Sequence, residues 1–140
     1  MEWYVGAKFP HNDLTSEDLR KRDAMWRQTK HALDFFERHL PRYREMRPNT
    51  QVCSHKNILC FAKPGSTYAL YIPGGTMSSE QSIDFHPVAQ KKSYAVFWYD
   101  PNDGGELTAG TVTKIAPGTT EVGHPRSDLG RDWVVLIRSE

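Results

Sequence analysis

The hydrophobic pattern of the chain changes its period near Gln51, and this change constrains the fold more than any other feature. Before it, apolar residues recur with the spacing of one face of an α-helix. After it, short runs rich in β-branched and aromatic residues are separated by Gly, Pro, Asn and Asp. The sequence therefore predicts one long helix followed by a β-domain.

The helix is predicted to run from Thr15 to about His39. The Thr15 hydroxyl can cap the first free amides, Asp18 can reach back in a capping box, and Pro41 disfavours helix in the residue before it. A stripe of apolar residues must be covered by another surface, so we expect the helix to pack on the β-domain or to pair in a homodimer. The stripe consists of Leu19, Trp26, Leu33, Phe36 and Leu40, widened by Met25, Ala32 and Phe35.

Two of the later runs, YALYI and YAVFWY, are apolar or aromatic on both alternating faces, which is typical of central strands covered on two sides. The predicted fold class is mainly β: an antiparallel β-sandwich, Greek-key or immunoglobulin-like, preceded by one long amphipathic α-helix. The predicted strands are 57–63, 67–72, 81–85, 93–99, 106–112 and 133–138, with a weaker one near 51–54.

Length and charge exclude several classes of partner. The 140 residues are enough for about one domain of ordinary size. Eighteen basic against seventeen acidic residues leave a formal charge of +1, so no overall field attracts nucleic acid or an acidic membrane surface. The chain has no apolar run of about 20 residues for a membrane helix and no signal-peptide pattern. Neither nucleic acid nor a membrane is an expected partner.

Acid, base and amide groups crowd the opening segment, but most have a structural explanation. Glu17, Asp18 and Asp23 fit the start and the solvated face of a helix. No Gly-x-Ser-x-Gly elbow occurs and neither cysteine has an evident base, so we expect no catalytic residue in this chain. The residue that this account explains least is His11.

Metal and cofactor sites are not expected either. Cys53 and Cys60 lack the second pair of a zinc site, so they are interpreted as small residues in or near strands, with a disulfide closing a short hairpin as the alternative. The segment DPNDGG, 100–105, resembles the opening of a calcium loop but lacks the ligands at positions five and twelve. It is predicted to be a tight turn with a glycine at positive φ, and weak calcium binding is the minor alternative.

Aromatic residues in the predicted strands form the remaining candidate binding site. Tyr71, Trp98 and Tyr99 could stack on sugar rings or line a groove for an extended peptide. Aromatic residues in strands are more often part of the core, so both interpretations stay open.

Four segments in this order resemble the C-terminal part of a family of apiosidase-like glycoside-hydrolase proteins: EWYVGAKFPHNDLTSEDLRKRDAMWRQTKHALDFF, YALYIPGG, FWYDPNDGG and RDWVVLIR. In that family a (β/α)8 barrel precedes a β-sandwich named for collagen binding. The resemblance implies that residues 1–48 are the end of a barrel plus a linker and that 49–140 are the sandwich. It also implies that His11, Asn12 and Asp13 form one rim of the parent's active site, because barrel enzymes build their sites from loops after strands.

The resemblance further implies a noncatalytic accessory module of a secreted or periplasmic parent enzyme. The catalytic carboxylates of such an enzyme should lie on earlier barrel strands, so this chain alone is expected to be inert. One function class is a module that binds collagen or another extracellular polymer, including polysaccharide as a carbohydrate-binding module. The other is a structural brace for the catalytic barrel with no ligand of its own.

Overall fold

The computed structural model of the protein describes residues 22–53, 55–76, 93–116 and 121–140. Its helix and strands are α1 (Asp23–His39), β1 (Arg47–Pro48), β2 (Leu59–Lys63), β3 (Thr67–Ile72), β4 (Tyr94–Tyr99), β5 (Lys114–Ile115) and β6 (Trp133–Ser139). These strands form one antiparallel sheet in the order β1-β2-β3-β6-β4-β5. The fold is therefore mainly β with a preceding helix, as predicted, and is consistent with a β-sandwich.

Helix α1 ends at His39, as the position of Pro41 predicts. Its first residue is Asp23, and the predicted start at Thr15 lies outside the described residues. In the part of the chain that the structure describes, no helix has the length and apolarity needed to cross a bilayer.

The last strand, β6, lies at the centre of the sheet between β3 and β4. The pairing of β6 with β3 and the pairing of β6 with β4 each extend over six residues, so β6 is hydrogen-bonded along both of its edges. Side chains alternate between the two faces of each strand, and both faces are apolar here, which confirms the prediction of central strands.

One face of the sheet carries the larger core, which is built around Tyr68, Tyr94 and Trp98. The opposite face carries a smaller core of Phe35, Leu40, Met46, Ala69, Tyr99 and Leu136. The expectation that α1 packs on the β-domain is therefore confirmed for its C-terminal half. Among the described residues, four large apolar side chains of the predicted stripe stay exposed: Met25 and Phe36 at 36%, Trp26 at 39% and Leu33 at 59%.

Two of the predicted strands are wrong. The segment 106–112 contributes only a single bridge, between Thr108 and Trp98, and its Thr111 amide donates instead to the carbonyl of His124 at 2.9 Å. The weak strand near 51–54 is instead a 3-10 turn, Thr50–Val52. The two-residue strands β1 and β5 were too short for periodicity to predict, and the predicted strand 81–85 lies outside the described residues.

The turn after β4 has the predicted conformation. The Asp100 carboxylate accepts hydrogen bonds from the amides of Asn102 and Asp103 at 2.8 and 3.1 Å, and Gly104 and Gly105 both have positive φ. Arg131 then binds both Asp100 and Asp103. Among the described residues, no group of three or more His, Cys, Asp or Glu could hold a metal ion.

Candidate binding groove

A groove of about 470 Å³ lies between α1 and the sheet face that carries the smaller core. We call it the aromatic groove. The residues around it that the structure describes include no Asp, Glu, His, Lys or Arg. Its main lining residues are Phe36, Leu59, Phe61, Tyr71, Tyr99 and Val134.

Strand register explains how residues distant in sequence form one surface. Leu59 is opposite Tyr71, Tyr71 is opposite Val134, and Val134 is opposite Tyr99, so these four form one row across β2, β3, β6 and β4. Side chains in one row across a sheet project to the same face. Helix α1 covers the neighbouring row, which contains Leu136, and thereby forms one wall of the groove.

Both tyrosine hydroxyls of the groove already have partners within the protein. The Tyr71 hydroxyl donates to the Asp132 Oδ2 at 2.7 Å, and this hydrogen bond together with burial raises the pKa of Tyr71. The Tyr99 hydroxyl donates to the carbonyl of His31 at 2.8 Å, and burial raises the pKa of Tyr99. The groove therefore offers a ligand mainly ring faces and aliphatic surface, to which Thr50 adds one further hydroxyl.

The structure brings together two of the three aromatic residues predicted for binding. Tyr71 is half-buried and Tyr99 is buried, and both line the aromatic groove. Trp98 faces the opposite side of the sheet, where its fully buried ring packs edge-on against Trp133 with centroids 6.2 Å apart. Trp98 thus presents no ring face to a ligand in this structure. The residues predicted to form one rim of the parent's active site, His11, Asn12 and Asp13, lie outside the described residues.

Sequence reasoning missed Phe36, Leu59 and Phe61 as parts of the site. Phe36 was assigned to the helix stripe, and the other two alternate with Cys60 and Ala62 along β2. This alternation places Leu59 and Phe61 on one face of β2 and Cys60 and Ala62 on the other. Leu59 is 58% exposed to solvent. The signal available in the sequence was this alternation along the strand.

Sheet, helix and groove together define a mainly β domain with an apolar groove. The chain belongs to the family described as "Putative collagen-binding domain of a collagenase", whose model matches residues 45–138. This range begins just before β1 and ends within β6, so it contains the sheet and excludes α1.

Two solved structures share the fold of the chain. One is titled "Glycoside hydrolase" and is 14% identical to this chain, with a TM-score of 0.63. The match covers 99% of this chain and 30% of the solved chain. The other is a glycoside hydrolase family 5 protein from Bacteroides vulgatus ATCC 8482 and is 17% identical to this chain, with a TM-score of 0.63. The match covers 96% of this chain and 28% of the solved chain. This chain thus spans less than a third of either solved chain. No curated protein matches it.

Proposed function

We propose that the protein is the noncatalytic accessory β-domain of a secreted or periplasmic glycoside-hydrolase-like protein, and that it binds an extracellular polymer along the aromatic groove. Membership of a family described by collagen binding and the fold shared with two glycoside hydrolases support this context. The parent is of the apiosidase-like type, with residues 1–48 completing its barrel and 49–140 forming the accessory domain.

The single observation that carries the proposal is the apolar, aromatic lining of the groove. A polysaccharide needs hydrogen-bonding groups beside its stacking rings, and both tyrosine hydroxyls are already engaged. An extended, proline-rich chain needs mainly aromatic faces, because its own conformation is already rigid and solvated. The lining therefore favours a collagen-like chain over a sugar chain.

The binding test uses two leucines with nearly equal exposure. Leu59 in the groove is 58% exposed, and Leu33 on α1, outside the groove lining, is 59% exposed. Leu59→Ala is expected to weaken binding to fibrillar collagen about five- to tenfold, because burying a leucine contributes about 1.5–3 kcal/mol and alanine retains only part of it. Leu33→Ala should bind as the unmodified chain does. Binding is measured by co-sedimentation, with a triple-helical Gly-Pro-Pro peptide and plant polysaccharides in parallel.

The outcomes separate the candidates. Saturable binding to collagen that falls only in Leu59→Ala supports the groove. Saturable binding to polysaccharide alone would indicate a carbohydrate-binding module. Equal losses in both variants, or no saturable binding to any polymer, would overturn the proposal.

The exposed apolar surface of α1 favours a second candidate function, a structural brace that packs on the preceding barrel and binds nothing else. Met25, Trp26 and Leu33 leave large apolar areas in water, and such areas commonly mark interfaces. With no barrel present, we expect this surface to pair two copies of the chain.

Multi-angle light scattering should therefore show a concentration-dependent dimer. Leu33→Glu should yield a monomer, because a carboxylate cannot be desolvated in an apolar interface, while Leu59→Glu should leave the dimer intact. A monomer at every concentration, with α1 sensitive to protease, would contradict the brace.

A further inference from the structure

A second cavity, of about 280 Å³, lies at the C-terminal end of α1. It is enclosed by the end of the helix, the residues just after it, the turn between β2 and β3, and β6. We call it the basic pocket, because four cationic side chains line it and no described carboxylate does. Its polar lining residues are Arg38, His39, Arg42, Lys63, Ser66, Thr67 and Arg138.

The carboxylates nearby do not neutralise the basic pocket. Glu45 accepts hydrogen bonds from both Lys63 and Arg42, which hold the pKa of Glu45 below its usual range. Glu106 pairs with Arg38 at 3.1 Å. Two negative charges outside the lining thus face four positive charges in it, and an excess of positive charge remains.

Arg138 is the most buried of the four cations. Desolvation lowers its pKa, and its Nη2 donates to the carbonyl of His39, the last residue of α1. That hydrogen bond opposes the partial negative charge at the end of the helix, which amounts to about half an elementary charge. The dipole is therefore too weak to repel an anion from a pocket with an excess of full positive charges.

His39 adds no charge of its own to the basic pocket. Its side chain is only 9% exposed, and its ring packs against Phe35 and Tyr99, with centroids 5.7 and 6.0 Å away. Burial first, and then the charge of Arg138, lowers the pKa of His39. The positive charge of the basic pocket therefore comes from its three arginines and Lys63.

We propose that the basic pocket binds a single oxyanion, the carboxylate or sulfate group of an acidic polymer chain. Guanidinium groups present forked donors that match the oxygens of such groups. The volume is just below the usual range for ligand pockets, roughly 300–1,000 Å³, which suits one charged group rather than a large ligand. This site is separate from the aromatic groove and does not depend on it.

The test titrates the ¹⁵N-labelled chain with sodium sulfate, sodium glucuronate or sodium chloride at matched ionic strength. Saturable shifts of the Ser66 and Thr67 amides are expected with sulfate, glucuronate or both. Removing two arginines in Arg38→Gln/Arg42→Gln should weaken binding at least fivefold.

The control variant, Arg27→Gln/Arg44→Gln, removes the same charge. Arg27 lies on α1 and Arg44 just after it, both are exposed, and neither lines the basic pocket. The control should bind anions as the unmodified chain does, and thermal melting checks that both variants are folded.

The anion arms also identify the group that binds. A response to sulfate alone assigns a sulfate ester, and a response to glucuronate alone assigns a carboxylate. Equal shifts with chloride would mean that only ionic strength is sensed. That result, or undiminished binding in Arg38→Gln/Arg42→Gln, would overturn the proposal.

Discussion

Replacing Tyr99 with alanine is expected to destabilise the domain by about 3–5 kcal/mol, the usual cost of truncating a buried aromatic side chain. Tyr99 is 2% exposed. Its ring packs on α1 through Phe35, with centroids 4.8 Å apart, and through His39, at 6.0 Å. Its hydroxyl donates to the carbonyl of His31, so one side chain holds the helix both by packing and by a hydrogen bond. We therefore expect Tyr99→Ala to release α1 from the sheet.

Urea unfolding gives the loss of stability, and limited proteolysis within α1 reports its release. Tyr99→Phe is the matched control, because it keeps the ring and removes only the hydroxyl. Loss of one hydrogen bond costs about 0.5–1.5 kcal/mol, so α1 should stay protected in this variant. If the two variants lost the same stability, ring packing could not be what holds the helix.

The sequence could predict those parts of the fold that are determined by residues close together in the chain. Strand β3 has the predicted bounds, 67–72, because both faces are apolar and Pro-Gly turns lie on either side. The segment 106–112 contains Thr and Val residues typical of a strand, yet it forms only one bridge. Its Thr111 amide donates to the carbonyl of His124, thirteen residues away, and no local pattern contains that contact.

In the candidate site, too, local features were predictable and contacts between distant strands were not. Trp98 and Tyr99 are adjacent in a strand, so the period of two already places them on opposite faces. Nothing in the sequence, however, places Tyr71 opposite Val134, because that pairing depends on which strands are neighbours in the sheet. The aromatic character of the site was therefore predictable, and the row that forms the groove was not.

Oxidation of Cys53 and Cys60 to a disulfide is expected to stabilise the domain. Both are free thiols here, and both pack in the larger core. The Cys60 thiol hydrogen-bonds to Cys53, which lowers the pKa of Cys53 and raises that of Cys60. This contact places the two sulfur atoms next to each other, which is the first requirement of a disulfide. Closing a loop of about eight residues contributes about 2–3 kcal/mol in the chain-entropy account.

The measurement compares the unfolding midpoint in dithiothreitol and after treatment with glutathione disulfide. The oxidant accepts two electrons and the thiols release two protons, so mass spectrometry should show the loss of two hydrogen atoms. We expect the midpoint to rise by roughly 5–15 °C. Cys53→Ser, which cannot form the bond, should melt at one temperature under both conditions.

The location of the cysteines links this stabilisation to the groove. Cys53 directly follows the 3-10 turn Thr50–Val52, and both Pro48 and Thr50 line the aromatic groove. A disulfide to Cys60 would tie this segment to β2, and an ordered groove loses less entropy when a polymer binds. Oxidation should therefore raise stability and collagen affinity together in the unmodified chain, and neither in Cys53→Ser. A gain in stability without any change in affinity would show that the segment is already rigid when the thiols are reduced.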